Sequence, residues 1–470
     1  MKIALIQPSS DHYIGFHHTA ITEPLGLEAI AGALTSHDIV VLDMRFDKDI
    51  EGFLIRERPD AVGVAVPFTT VVYAAQAVLA TVHRLLPHAF IFVGGHHPAL
   101  NPSDFLGRCN VVVIGEGEEL VPELLARVES GQSIDDLPGL MFIRDGKQFS
   151  TGERPLIAKL DNLPMVNRTI VERYAERYFF RSMAPVTMIE TARGCPYRCI
   201  FCSVWKFNRG RYRQKSPERV LEEVKAAPTT DILFSDDNFM GNISRTEHIY
   251  RLIHDAGLKR RFGCQARTDT IAKNPDTIRR WRSIGLSWVL IGFESFNEER
   301  LAWMNKKTDV ETNEEAVKIL QDNGIEIQAA FIVDPTYSRS EFQALGKYIR
   351  RLKLKSCQIT VLTPLPGTDL FKEKWSELTS WNYDLFDFFH AVLPTELPLK
   401  QFYREFCKLY RQVAIMPNIK ELFKSPSSLS PSNILHGIHM FNNILRPKGY
   451  LKGHSRAVPP GLDFEIKGGL

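Results

Sequence analysis

Apolar residues in the first 150 positions fall in short, nearly unbroken blocks: KIALIQP, DIVVLDM, AVGVAVPF, AFIFVGG and NVVVIGEGE. Blocks of this kind, bounded by glycine, predict parallel strands covered on both faces. Between them the spacing turns helical. Leu27, Ile30, Ala31 and Leu34 share one face of the stretch 24–36, and similar patterns cover Tyr73–Leu86 and Glu119–Val128. The alternation predicts a doubly wound, Rossmann-like α/β domain over residues 1–150. Residues 151–180, with LIAKLDNLPMVNR at their centre, read as a linker. A second alternating series follows, with strand candidates at Val186–Thr191, Asp231–Ser235, Phe262–Ala266, Trp288–Phe293, Ile325–Val333 and Gln358–Leu362. Ser216 and Pro217 open one intervening helix as N-cap and first helical residue, and Val220, Leu221 and Val224 form its apolar face. Six βα units over 181–380 predict a partial (β/α)6 barrel of TIM type. From 381 to 470 the pattern is mainly helical. LPLKQFYREFCKLYRQVA is amphipathic, SPSSLSPS is a flexible linker, and Ile434, Ile438, Phe441 and Leu445 mark a last helix with a basic end. That helix reads as packed on the barrel rather than laid on a membrane surface.

Composition narrows the function classes. The formal charge is +3, with 44% hydrophobic and 24% charged residues, so nothing argues for nucleic-acid binding. The basic runs KFNRGRYRQK and LKRRF read as solvated faces or small anion sites. The N-terminus MKIALIQPSS reads as a core strand rather than a secretion signal. No apolar stretch approaches the roughly 20 residues of a membrane span, so a cytoplasmic protein is expected. Seven cysteines in 470 residues make no disulfide framework. Cys109, Cys264, Cys357 and Cys407 are scattered and read as buried apolar filler.

The other three fall within eight residues of MIETARGCPYRCIFCSVWKF: Cys195, Cys199 and Cys202. This loop directly follows the first strand of the second series, at the barrel face where active sites sit. Three clustered thiolates favour iron–sulfur or zinc. Structural zinc wants a fourth protein ligand, but SVWKFNRGRYRQK supplies neither Cys nor His. A 4Fe–4S cluster with one iron left free explains the count. CxxxCxxC with an aromatic residue, Phe201, before the last cysteine resembles the signature of the radical S-adenosylmethionine superfamily. The resemblance implies that the free iron is chelated by S-adenosylmethionine, which an electron from the cluster cleaves to methionine and a 5′-deoxyadenosyl radical. It also implies roles for other strand ends. Ser235, Asp236 and Asp237 of LFSDDNF are candidates for the methionine ammonium, although with Asn238 they also suit capping of the next helix. Arg267 of CQARTD suits the methionine carboxylate, or simply Asp269. Glu294 and Ser295 of IGFES resemble residues near ribose and methionine, and TPLPGT resembles a loop near adenine.

The N-terminal stretches EPLGLEAIAGAL, VGGHHPALNP and VIGEGEELVPELL resemble the cobalamin-binding domain of cobalamin-dependent radical S-adenosylmethionine enzymes. Gly94, Gly95, Gly115 and Gly117 lie just after strands, where a bulky ligand approaches backbone; they also suit tight βα turns. Many cobalamin proteins carry Asp-x-His-x-x-Gly in this fold. Here Asp43 is present but Arg45 stands at the histidine's place, implying cobalamin without a protein histidine below cobalt. His96 and His97 are candidate ligands, or hydrogen-bonding surface groups. The combination implies radical methylation of an unactivated sp3 carbon, with methylcobalamin as methyl source. FIVDP, VLTPLPGTDLF and LFDFFHAVLPTELPL resemble the hopanoid C-3 methylase subgroup. That resemblance implies a triterpenoid lipid substrate, an electron donor such as flavodoxin or ferredoxin, and peripheral contact with the inner face of the membrane. WNYDLFDFFHAVLP reads either as lining for such a substrate or as ordinary core. The competing enzyme reading is a cobalamin-dependent oxidation or ring closure on a tetrapyrrole. Methylthiolation is disfavoured because the N-terminal domain offers only Cys109 for a second cluster. A zinc-stabilised sensor is the non-enzymatic alternative.

Overall fold

The computed structural model describes residues 1–10, 20–415 and 445–455. Its first sheet holds β1 (Lys2–Gln7), β2 (Asp38–Asp43), β3 (Ala61–Ala65), β4 (Phe90–Gly94), β5 (Val111–Val113), β6 (Leu140–Arg144) and β7 (Lys147–Ser150). The order is β2-β1-β3-β4-β5-β6-β7, with the first five strands parallel. Ile3, Ala4, Leu5 and Ile6 have no exposed surface, as continuous apolar strands between helical layers require. Strand order reverses between β1 and β3. Open α/β sheets bind their ligands outside such a switch point, at the carboxyl ends of the strands.

The sheet departs from the sequence reading at one edge. β6 and β7 are antiparallel, joined through Asp145 and Gly146, both at positive φ. This is the Asp-Gly hairpin geometry. The supposed linker is also structured. A 3-10 helix spans Arg168–Arg177, and Val171, Tyr174 and Tyr178 are buried in the first sheet's core.

The second sheet holds β8 (Val186–Ile189), β9 (Asp231–Phe234), β10 (Arg261–Ala266), β11 (Leu286–Glu294), β12 (Glu326–Val333) and β13 (Ser356–Val361). All six are parallel and lie in sequence order, with β8 and β13 at the two edges. This is an open, partial barrel with a helical connection after each of the first five strands. Ser216 accepts a hydrogen bond from the Arg219 N–H, and Pro217 occupies the first turn of helix Pro217–Ala226, as read from the sequence.

Beyond the barrel, helix Leu399–Tyr410 packs on helix Arg339–Arg351 through Phe402 against Phe342 (5.4 Å between centroids). Tyr410 Oη donates to Ile359 O on edge strand β13. The SPSSLSPS linker, and Ile434, Ile438 and Phe441 of the last predicted helix, lie outside the described residues. Leu445 is buried, and a helix spans Pro447–His454. Among the described residues no helix is long and apolar enough to cross a membrane.

Candidate functional site

The three-cysteine loop is pinned on all sides. Ala192–Arg193 pairs antiparallel with Arg213–Gln214, closing its base. Gly194 has φ +87°, and a Cβ there would lie 2.2 Å from Arg211 O, so only glycine fits. The Cys202 N–H and the Trp205 indole N–H both donate to Cys199 O (3.1 and 3.0 Å). Ile200 exchanges backbone hydrogen bonds with Met304 and Leu370, and Phe201 packs against Met304, Leu362 and Leu370. Burial pushes all three thiols above their ordinary range, Cys202 to about 12. Thiolates here therefore need a bound cation's charge to form. A cuboidal cluster takes one thiolate per iron. Cys109, Cys264, Cys357 and Cys407 lie on other elements, so this donor set fits three corners of a 4Fe–4S cluster.

A cavity of about 1420 Å³ opens between the carboxyl ends of both sheets and the cysteine loop, with Gln7, Ala65, Gly194, Ser203, Ser235 and Asp237 in its wall. It exceeds the roughly 300–1,000 Å³ of a single small-ligand pocket. Gly94, Gly95, Gly115 and Gly117 all line it. Gly115, at φ +94°, has open space where a Cβ would be, and a Cβ on Gly94 would make only an ordinary contact. Both therefore present bare backbone, a cradle suited to a ligand as broad as cobalamin. Gly95 and Gly117 have closer reasons: a Cβ would meet Val66 O at 2.9 Å and Ile30 Cδ1 at 2.7 Å.

Neighbouring candidates differ in what they touch. Asp236 is fully buried and accepts from the Thr191 N–H and hydroxyl (2.6 and 2.5 Å). It positions the chain entering the cysteine loop. Asp237 faces the cavity. Its side chain is exposed into that cavity; enclosure by the cavity walls, then Asp236 and Glu190, push its carboxyl up. Neither amide atom of the buried Asn238 finds a protein partner. The acid suits the ammonium at the methionine end of S-adenosylmethionine; the amide lies buried beside it, outside the cavity wall. Arg267 donates to Asp269 (2.9 Å) and Lys306 O (2.6 Å) and lies 3.4 Å over the Tyr197 ring. Glu294, at φ +61°, is paired with Lys306 (2.6 Å), and Ser295 Oγ accepts from the Asn297 N–H. Phe201, Asp236, Arg267, Glu294 and Ser295 stand outside the cavity wall.

The histidines separate likewise. His97 is buried, with Nδ1 at Thr69 Oγ1 (3.1 Å) and Nε2 at Asp104 Oδ2 (2.7 Å), so neither nitrogen is left for cobalt. His96 lines the cavity, stacks on Phe207 and hydrogen-bonds Ser203, one residue past Cys202 (2.8 Å). Burial lowers its pKa to about 4, so it is neutral. Arg45 forks onto Asp43 (2.8 and 2.6 Å) and lines the cavity.

One set of functional groups escaped the sequence reading. Arg193 binds Glu116 (2.6 Å), Glu118 (2.5 Å) and Glu190 (2.8 Å), and Arg213 also binds Glu116 (2.7 Å). Glu116 and Glu118 interleave with Gly115 and Gly117. The glycine edge is thus locked by buried charge to the base of the cysteine loop. The acid-rich GEGEE was visible, but nothing local pairs it with an arginine 77 positions away.

A cysteine loop over a partial barrel, facing a glycine-edged doubly wound sheet, defines the class of cobalamin-binding radical S-adenosylmethionine enzymes. The Radical SAM superfamily model matches residues 189–349, and the B12 binding domain model matches 14–125. Hopanoid C-3 methylase of Methylococcus capsulatus is 30% identical over 97% of this chain and 90% of its own length. The anaerobic magnesium-protoporphyrin IX monomethyl ester cyclase of Rubrivivax gelatinosus is 27% identical over 84% of this chain and 73% of its own. Two solved structures share the fold. OxsB, with aqua-cobalamin and S-adenosylmethionine bound, has a TM-score of 0.70 at 16% identity, over 97% of this chain and 75% of that one. The methyltransferase TsrM of Kitasatospora setae, with cobalamin and a 4Fe–4S cluster, has 0.64 at 18%, over 81% and 79%. The chain belongs to the cobalamin-dependent radical S-adenosylmethionine methyltransferases. Its cofactors are a 4Fe–4S cluster, S-adenosylmethionine and cobalamin.

Proposed function

We propose that this methyltransferase adds a methyl group to C-3 of a hopanoid lipid. The observation that carries the reading is the 30% identity with Hopanoid C-3 methylase over 97% of the chain. The cavity supports it: Phe68, Leu100, Phe207, Leu365, Phe386 and Phe388 give it an apolar wall, suited to a ligand that is almost all hydrocarbon.

Cys195, Cys199 and Cys202 would hold the iron–sulfur cluster and would leave one iron for S-adenosylmethionine. Asp237 would receive its ammonium, which favours the carboxylate form. The bare backbone at Gly94 and Gly115 admits the corrin ring. When bound, these cofactors supply a carbon-centred radical that removes hydrogen from an unactivated carbon, and the methyl group that replaces it. The chain's part is to hold three reactants in one cavity and keep water from the reacting carbon. A small protein reductant, flavodoxin or ferredoxin, supplies the electron.

The test is anaerobic reconstitution with iron, sulfide and cobalamin, followed by S-adenosylmethionine, reductant and a hopanoid. The expected products are 5′-deoxyadenosine and a hopanoid heavier by one methylene. Deoxyadenosine with unchanged hopanoid refutes the substrate. With a tetrapyrrole in place of the hopanoid, an oxidised or cyclised product without a new methyl group supports the competing reading.

A further inference from the structure

The aromatic segment after the barrel divides between core and cavity. Tyr383, Leu385, Phe389, Ala391 and Val392 are buried in the apolar cores; Phe386 belongs to that core and also touches the cavity, and Asp387 and Phe388 reach the cavity wall. Phe388 is unusual among them. Its φ is +67°, and it is the only aromatic residue among the described positive-φ residues. A bulky side chain in this region is a genuine outlier that the surroundings must impose.

Those surroundings are explicit. Asp387, 7% exposed, accepts the N–H groups of Phe389 and His390 on Oδ1 (2.8 and 2.9 Å) and holds His390 Nδ1 on Oδ2 (2.8 Å). Phe388 O accepts from the Val361 N–H (2.7 Å), the last residue of edge strand β13. The Ala391 N–H donates to Tyr403 Oη (2.9 Å) on helix Leu399–Tyr410. Helix Pro447–His454 closes over the turn at Gly453, where a Cβ would lie 2.3 Å from His390 Nε2. A turn that served packing alone would adopt this conformation with less strain as glycine or asparagine. Here the barrel edge and two C-terminal helices instead hold a phenylalanine in it, at the wall of the cavity.

We infer that Phe388 is a specificity-determining residue that clamps the apolar rings of the substrate, and that Asp387 and His390 are positioning residues that aim it. The inference rests on the proposed reading of this cavity as the site of an apolar polycyclic substrate. The ring face supplies apolar contact, and the strained, multiply bonded turn fixes its place before substrate arrives.

Phe388→Gly tests this, because it removes the ring and relieves the backbone together. The variant is expected to load iron and cobalamin as the wild type does and to melt no lower. Its affinity for two apolar probes, pyrene by fluorescence and a labelled hopanoid alcohol by gel-filtration retention, falls about tenfold or more. In turnover, KM for the hopanoid rises by more than kcat falls. Phe388→Leu recovers part of the affinity, and Asp387→Asn weakens it with the ring still present. Wild-type affinity of Phe388→Gly for both probes overturns the clamp. If the wild type binds pyrene but not hopanoid, and Phe388→Gly loses pyrene, the clamp stands and the hopanoid reading fails.

Discussion

Replacing Glu116 with glutamine tests how strongly the glycine edge is tied to the cysteine loop. The Glu116 carboxylate accepts from Arg193 (2.6 Å), Arg213 (2.7 Å) and the Ile157 N–H (2.8 Å), with its side chain only 4% exposed. In Glu116→Gln the carbonyl keeps one side of this set, and the amide NH2 must face a guanidinium. Removing one partner of a buried ion pair costs about 3–5 kcal/mol. Arg193 keeps Glu118 and Glu190, and Arg213 keeps Ile157 O and Asn208, so the lower end, about 3 kcal/mol, applies. With a urea slope of about 3 kcal/mol per molar, the midpoint falls by about 1 M. The assay is urea unfolding of the cofactor-free chain at pH 7, followed by tryptophan fluorescence. The pH dependence adds a second check. Burial pushes the Glu116 carboxyl up, but Arg213 and Arg193 outweigh it and hold the group below its ordinary 4.5. A depressed acid stabilises the fold above its unfolded value and loses that contribution as pH falls through the folded one. The gap between wild type and variant therefore stays constant from pH 8 to 5 and closes only below about 4.5. A loss under about 1 kcal/mol, as for an exposed pair, refutes the reasoning.

Cys199→Ala is expected to lose iron on anaerobic reconstitution and to form no 5′-deoxyadenosine; retained deoxyadenosine formation would show that the cluster lies elsewhere. Gly115→Val places a branched side chain at φ +94° and in the open space of the cradle, so cobalamin retained per chain on gel filtration drops while iron content holds; equal cobalamin content counts against the cradle. Glu28 is fully buried with neither carboxylate oxygen hydrogen-bonded, and burial, then Glu23, push it up to about 8. A raised acid keeps its proton in the fold, so stability falls by about 1.4 kcal/mol per pH unit between its unfolded and folded values. Glu28→Gln is therefore more stable than wild type at pH 8 and nearly equal at pH 5, by thermal melting. A constant difference across that range refutes a protonated Glu28.

The barrel strands are legible in the sequence because they are short and largely buried: the pattern predicts Asp231–Ser235 where Asp231–Phe234 forms, and Ile325–Val333 where Glu326–Val333 forms. The β6–β7 hairpin carried its Asp-Gly signal, but β7 is a short, mostly exposed edge strand, KQFS, with little apolar contrast. Arg168–Arg177 looked like linker because its few apolar residues are diluted by charge, yet they complete a core that the sheet alone leaves open. At the site, the cysteines could be read because their spacing is local. Which of Asp236 and Asp237 meets the cavity could not, since adjacent residues of one type differ only in the direction the backbone turns them. Arg193 with Glu116, and His96 with Ser203, depend on how two sheets dock. Those contacts span 77 and 107 positions.

That docking limits how such enzymes can be recombined. Arg193 stands two positions before Cys195, and its carboxylate partners Glu116 and Glu118 come from the other half of the chain. A chimera that takes its corrinoid half from a relative without both acids would leave the buried Arg193 guanidinium with Glu190 as its one carboxylate and take from Arg213 its Glu116 partner. Exchange between relatives therefore has to transplant GEGEE and TARGC as one inherited unit, even though more than seventy residues separate them.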